Sequence, residues 1–157
     1  MKYLEGEEKV VAERWLDYAL QEAKKSPCHE SKRGVVIISE NGNIIGTGFN
    51  RPPGDFECEP QFCQPICADY AVHAELVAMH DALIKGYSLK GATLYHARIK
   101  NNQIAPSGQP SCVDCSKQIY DWGLKAVILQ HAEGIAMYEA REFHEKSLEF
   151  LIKKNMK

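Results

Sequence analysis

Two short segments constrain this chain more than anything else in it: Val72-His73-Ala74-Glu75, and Pro110-Ser111-Cys112-Val113-Asp114-Cys115. One imidazole and a pair of thiols are enough to hold a zinc ion, leaving a fourth coordination position for water and a spare carboxylate to move protons. A fold that uses them must bring two distant stretches together. Each half alone is a weak signal, because His-x-Glu is common by chance and Cys-x-x-Cys also serves structural zinc sites and redox pairs. In this order, with each half placed where a helix opens after a strand and a loop, they match the H-x-E then P-C-x-x-C pattern of a hydrolytic zinc site. The chain carries its own control, since His131-Ala132-Glu133 repeats the tripeptide. No cysteine follows Cys115, and the repeat lies between the apolar run Ala126-Val127-Ile128-Leu129 and Gly134, so a solvated turn is expected there.

At 157 residues, the chain is expected to form a single domain, 1–157, large enough to bury a real core. Its formal net charge is −2, and no long Lys/Arg run is present, which argues against a broad grip on a polynucleotide backbone. Lys153, Lys154 and Lys157 read as a helix end that favours positive charge, followed by a polar tail. No apolar run approaches the ~20 residues needed to span a bilayer. The first residues are acidic and lack the apolar core of a signal peptide, so a cytoplasmic location is expected. There, six cysteines are thiols or metal ligands rather than a disulfide framework.

Apolar residues recur at helical spacing over residues 7–25, with Ser26-Pro27 as the stop, and predict an amphipathic helix. Gly34-Val35-Val36-Ile37-Ile38 is apolar on both faces and predicts a central strand. Asn41-Gly42 turns it into a second strand over residues 44–49. Residues 50–67 hold four prolines and three cysteines and predict a long loop. Asp69 is placed to cap a helix whose stripe is Val72, Leu76, Met79 and Leu83, with Gly86 as its stop. Residues two apart on a helix point ~200° from each other, so His73 and Glu75 can serve one site only at the helix end. A third strand is expected over residues 91–97, then a polar loop to Pro110. Ser111 with Asp114 reads as a capping box, making Cys112 the first helical residue with Cys115 one turn on, where the helix dipole favours thiolates. A fourth strand over residues 125–130 precedes a closing helix over residues 136–154. Helices alternating with short apolar strands imply an α/β fold, a mixed sheet of four to five strands covered on both sides as a three-layer α/β/α sandwich.

With those residues in view, the chain resembles the cytidine deaminase superfamily, most closely its deoxycytidylate deaminase branch. The resemblance spans residues 34–129 and is carried by Gly46-Thr47-Gly48-Phe49-Asn50 with the prolines after it, by His73-Ala74-Glu75, and by the cysteine pair. It implies a cytidine deaminase-like fold, His73, Cys112 and Cys115 as zinc ligands, Glu75 as the catalytic proton shuttle, and Asn50 and the Ala74 backbone as substrate contacts. By composition alone, Asn50 is a turn-former before Pro52-Pro53. The sequence departs from the family in having Ser111 directly before Cys112, in a longer loop over residues 98–109, and in offering only helix where a fifth strand is common.

The implied function is hydrolytic release of ammonia from a cytosine-type nucleoside or nucleotide. The partners expected are thus a small-molecule substrate, with no polynucleotide and no membrane, and a second copy of the chain in a homo-oligomer. Another amino-bearing ring, such as guanine, adenine or a pterin-like heterocycle, is the alternative, as is a non-catalytic domain that uses zinc structurally. Against the last reading, a closed structural site has no use for the unligated Glu75. Cys58, Cys63 and Cys67, with Cys28-His29, raise a second structural zinc as a less favoured expectation, because their spacing is irregular. Arg51 reads as a solvated loop charge in preference to a phosphate contact, His80 and His96 as surface and strand-packing residues, and Tyr70 and Phe49 as packing aromatics.

Overall fold

The computed structural model describes residues 1–63 and 66–157; Gln64 and Pro65, inside the loop expected over residues 50–67, lie outside the described residues. In chain order the elements are β1 (Lys2–Tyr3), α1 (Gly6–Lys24), β2 (Ser31–Ile38), β3 (Ile44–Phe49), a 3-10 turn (Pro60–Phe62), α2 (Cys67–Tyr70) and α3 (Ala74–Ile84). β4 (Thr93–Lys100), β5 (Gln103–Ala105), α4 (Val113–Asp121), β6 (Ala126–Gln130), β7 (Ile135–Glu139) and α5 (Ala140–Asn155) complete it. The sheet runs β1-β7-β6-β4-β2-β3, with β5 paired to β4. β4 and β6 are parallel and the other pairs antiparallel, so the sheet is mixed.

Alternation along the central strands builds two cores. Val35, Ile37, Leu94, Val127 and Leu129 join the cluster beneath α3, α4 and α5. Val36, Ile38, Tyr95, Ala97 and Ile128 face the other way, against Ala12, Trp15, Leu16 and Ala19 of α1. A strand buried on both faces reads as a continuous apolar run, which is what β2 and β6 show. The three-layer α/β/α arrangement follows.

The sheet has seven strands where four to five were expected. β7 occupies the start of the segment expected to be helical; a tight turn, with the His131 N–H donating to the Gly134 carbonyl at 2.8 Å, folds it back antiparallel on β6. Pairing with a neighbour remote from any local signal decides that stretch, and the helix waits until Ala140. β5 lies in the segment expected to be a polar loop. Asn101 and Asn102 both take positive φ (53° and 59°), the conformation of a two-residue hairpin turn.

Two glycines decide how α3 sits. A Cβ on Gly46 would lie 2.3 Å from the Ala78 carbonyl oxygen, and one on Gly48 would lie 2.5 Å from the Ala78 nitrogen and 2.9 Å from the Ala74 oxygen. Their bare backbones let α3 rest directly on β3. The Thr47 N–H, on this edge strand, donates to Asp81 Oδ2 of α3 at 2.9 Å. The start of α3 is thereby fixed above the sheet.

Candidate active site

His73 is the N-cap of α3, its backbone still extended (φ −69°, ψ 147°). Glu75 is the second helical residue, so the two reach around the helix end from different sides, as their spacing required. Asp69 does not cap this helix; it lies within α2, and the chain turns again before α3 begins. Cys112 is the N-cap of α4 rather than its first residue, and its Sγ accepts from the Cys115 N–H at 3.3 Å. The expected Ser111–Asp114 box is replaced by this sulfur cap, and Asp114 instead takes the Lys117 ammonium at 2.6 Å.

The two helix starts bring His73, Cys112 and Cys115 together, with ligand atoms all within 4.8 Å of one another. His73 Nδ1 lies 3.3 Å from each sulfur, and the sulfurs are 3.1 Å apart. Tetrahedral coordination at the roughly 2.0–2.3 Å that zinc prefers requires the group to open by roughly 0.3–0.7 Å. His73 Nε2 is 2.9 Å from the Ala68 carbonyl oxygen, which can only accept, so this nitrogen carries a proton and Nδ1 is the atom turned toward the sulfurs. Hydrogen bonding from Cys115 and His73 pulls the Cys112 thiol down to about 5 against the effect of burial. The same Cys112 contact and burial push the Cys115 thiol up. His73 is raised to about 9, first by its hydrogen bond with Cys112. A cation taken up by this donor set releases protons, so its binding strengthens as pH rises. One imidazole, oriented by the Ala68 carbonyl, and two thiols fit zinc.

Glu75 stays outside the donor set. Its Oε2 is 3.9 Å from Cys115 Sγ and its Oε1 is 3.9 Å from His96 Nε2. Burial alone would raise its carboxyl, but His96, His73, its own backbone N–H and Arg33 outweigh burial and hold it below the usual range. It is therefore a carboxylate, able to accept a proton.

These groups open on a cavity of about 500 Å³ whose wall includes Arg33, Asn50, His73, Glu75, His96 and Cys112, a size suited to a small organic ligand. Asn50 is in that wall, but its amide is partly committed to β2: Oδ1 accepts from the Arg33 N–H at 2.7 Å and Nδ2 donates to the Ser31 carbonyl at 2.9 Å. One lone pair and one N–H remain. Ala74 is fully buried and is not part of the wall; as the first residue of α3 its N–H belongs to the unpaired donors of a helix start.

Arg51 stands outside the cavity wall; its backbone pairs with Val72 and ties the loop to the entry of α3. Tyr70 packs edge-on against Phe62, ring centres 5.6 Å apart, and His80 is exposed. His131 of the repeated tripeptide contacts the Tyr138 hydroxyl at 2.8 Å within the β6–β7 turn, away from the metal group. Cys28, Cys58, Cys63 and Cys67 line a small cavity beside the first, and burial together with the neighbouring thiols raises Cys67. Among the described residues these four do not form a group at metal-binding spacing.

Sequence reasoning missed Arg33 and Ser107 and took His96 only for a packing residue; all three belong to the cavity wall. His96 carried a signal, a histidine inside an apolar strand. Arg33 carried none, because nothing marked β2 as extending back to Ser31.

A sequence model of the cytidine and deoxycytidylate deaminase zinc-binding region matches residues 9–131. Among solved structures, the dCMP deaminase from cyanophage S-TIM5 in complex with dCMP and dUMP is similar at TM-score 0.60 and 25% identity, covering 79% of this chain and 82% of that one. The apo form of the same phage enzyme gives 0.57 at 25% identity, covering 75% and 80%. A cytidine deaminase from Burkholderia pseudomallei shares the fold at TM-score 0.61 and 14% identity, covering 83% and 94%. No curated protein matches the sequence. The family match and the fold define a zinc-dependent deaminase, a hydrolase acting on C–N bonds. The chain belongs to the cytidine and deoxycytidylate deaminase family.

Proposed function

We propose that this protein hydrolyses the amino group from a cytosine-type nucleoside or nucleotide, releasing ammonia and leaving the carbonyl compound. His73, Cys112 and Cys115 are the zinc ligands in this reading, and the ion they hold supplies the Lewis acidity that makes water a nucleophile at neutral pH. Glu75 takes one proton from the attacking water and delivers it to the ring nitrogen, then takes the remaining hydroxyl proton and delivers it to the amino group, which leaves as ammonia while the carbonyl forms. The backbone N–H at Ala74 and the uncommitted half of the Asn50 amide serve as substrate contacts. The observation that carries this reading is the Glu75 carboxylate, 3.9 Å from Cys115 Sγ yet outside the donor set.

Cytosine is favoured over other amino-bearing rings by the family and by the phage relative, which binds dCMP and dUMP. The formal net charge of −2 supports a small molecule over a polynucleotide. Ammonia release measured across free bases, nucleosides and monophosphates tests the proposal. Release from a cytosine compound is the expected result; release only from a purine or pterin-like ring overturns the substrate, and silence across the panel from zinc-loaded protein favours a binding module.

A further inference from the structure

We infer that Arg33 is a positioning residue that acts through His96, holding its Nε2 as an acceptor so that the ring does not donate to the Glu75 carboxylate. The inference rests on Glu75 being the proton carrier, and it starts from sheet geometry. His96 on β4 stands opposite Val35 on β2, so Arg33, two residues from Val35, shares its face of the sheet. Along that face Val35, Ile37 and Leu94 are core. Arg33 and His96 replace apolar groups with polar ones where the face passes under the start of α3.

His96 is 2% exposed, and its Nε2 lies 3.4 Å from Arg33 Nη1. A guanidinium has only donors, so Nε2 must accept and the ring proton of a neutral imidazole sits on Nδ1. Nδ1 is the one buried side-chain nitrogen or oxygen without a partner among the described residues, the atom left over by that choice. Burial, with Arg33 adding to it, pushes His96 down to about 4, which keeps the ring neutral at working pH. Arg33 cannot swing away, because Nη1 also donates to the Ser107 carbonyl at 3.1 Å. Ser107 is itself pinned: its hydroxyl donates to the His96 carbonyl at 3.0 Å and its N–H to the Gln130 carbonyl at 2.7 Å.

The consequence falls on Glu75. Its Oε1 faces the Nε2 edge of His96 at 3.9 Å, beyond a hydrogen bond. With Nε2 accepting from Arg33, His96 has no proton to give the carboxylate. In the other tautomer, Nε2–H would face Glu75, and an approach of about 1 Å would close a hydrogen bond on the oxygen needed for proton transfer.

Nitrogen NMR of the histidine-labelled, zinc-loaded full chain tests this without reference to turnover. The expected spectrum has His96 protonated at Nδ1 and bare at Nε2, moving toward Nε2–H in Arg33→Met; a wild-type ring protonated at Nε2 overturns the inference. In turnover, Arg33→Met is expected to lose at least about tenfold in kcat with KM little changed, while Arg33→Lys, which still donates, keeps a larger share. Adding His96→Leu to Arg33→Met should restore part of the loss, since it removes the misdirected donor. A double variant no faster than Arg33→Met, or a loss seen in KM alone, shows that Arg33 does not act through His96. An Arg33→Met that fails to fold leaves the wild-type tautomer and Arg33→Lys as decisive. A wild type that releases no ammonia refutes the proposed function, whereas the tautomer result stands or falls separately.

Discussion

His96 is a buried titratable side chain, and it links the site to stability. The folded ring stays neutral down to about 4, whereas an unfolded histidine takes up its proton near ~6.5. Below that value the unfolded chain binds more protons, so stability falls as pH drops from ~6.5 toward ~4, by roughly 3 kcal/mol over the window. Denaturant titrations at intervals across it should show this slope, and His96→Leu should flatten most of it; an unchanged slope in the variant contradicts the assignment. Cys112 caps α4, and in the proposed reading it is also a zinc donor. Cys112→Ser should be purified with little zinc by metal analysis, and full occupancy would remove Cys112 from the ligand set. At this scale the group the fold brings together is legible where chemistry is unusual: an imidazole, an acid and two thiols in a fixed order stand out from any background. Arg33 did not stand out, because a surface arginine and one turned into a cavity look the same until strand register is known.

Among the elements, the seat of α3 on β3 sets the geometry. Gly48→Ala places a methyl group within 2.5 Å of the Ala78 nitrogen, so helix or strand must shift. Overpacking of this kind costs about 1–3 kcal/mol; because α3 carries His73 and Glu75, zinc retention should fall along with the melting temperature. A variant less stable but unchanged in zinc content would show that the helix start is held from elsewhere. Local signals placed α1, β3 and the end of α4 within a residue or so, since a proline, a hairpin turn and a Trp-Gly stop act on their immediate neighbours. β5 and β7 were not legible. Their existence depends on hydrogen-bond partners in β4 and β6, and a short apolar run leading into a helix reads as more helix when that partner is unknown. The sulfur cap of α4 was hidden in the same way, behind a serine and aspartate at the right spacing.

For the molecule as a whole, α1 covers one face of the sheet and α3, α4 and α5 the other. Among the described residues, no helix is long and apolar enough to cross a membrane. The cavity, about 500 Å³, draws its wall from the two helix starts that carry His73 and Cys112 and from Arg33, His96 and Ser107 of the sheet and its loops. That wall depends on segments far apart in sequence, which is why a partly unfolded chain should lose zinc and turnover together. The central claim is that three side chains hold the ion while a fourth, outside the donor set, moves the protons. Zinc content and ammonia release measured on the same samples of the unaltered chain and of Glu75→Ala separate those roles. The account predicts equal zinc in both and a loss of turnover of at least about 100-fold in the variant; a variant that keeps its activity, or that loses its zinc, contradicts it.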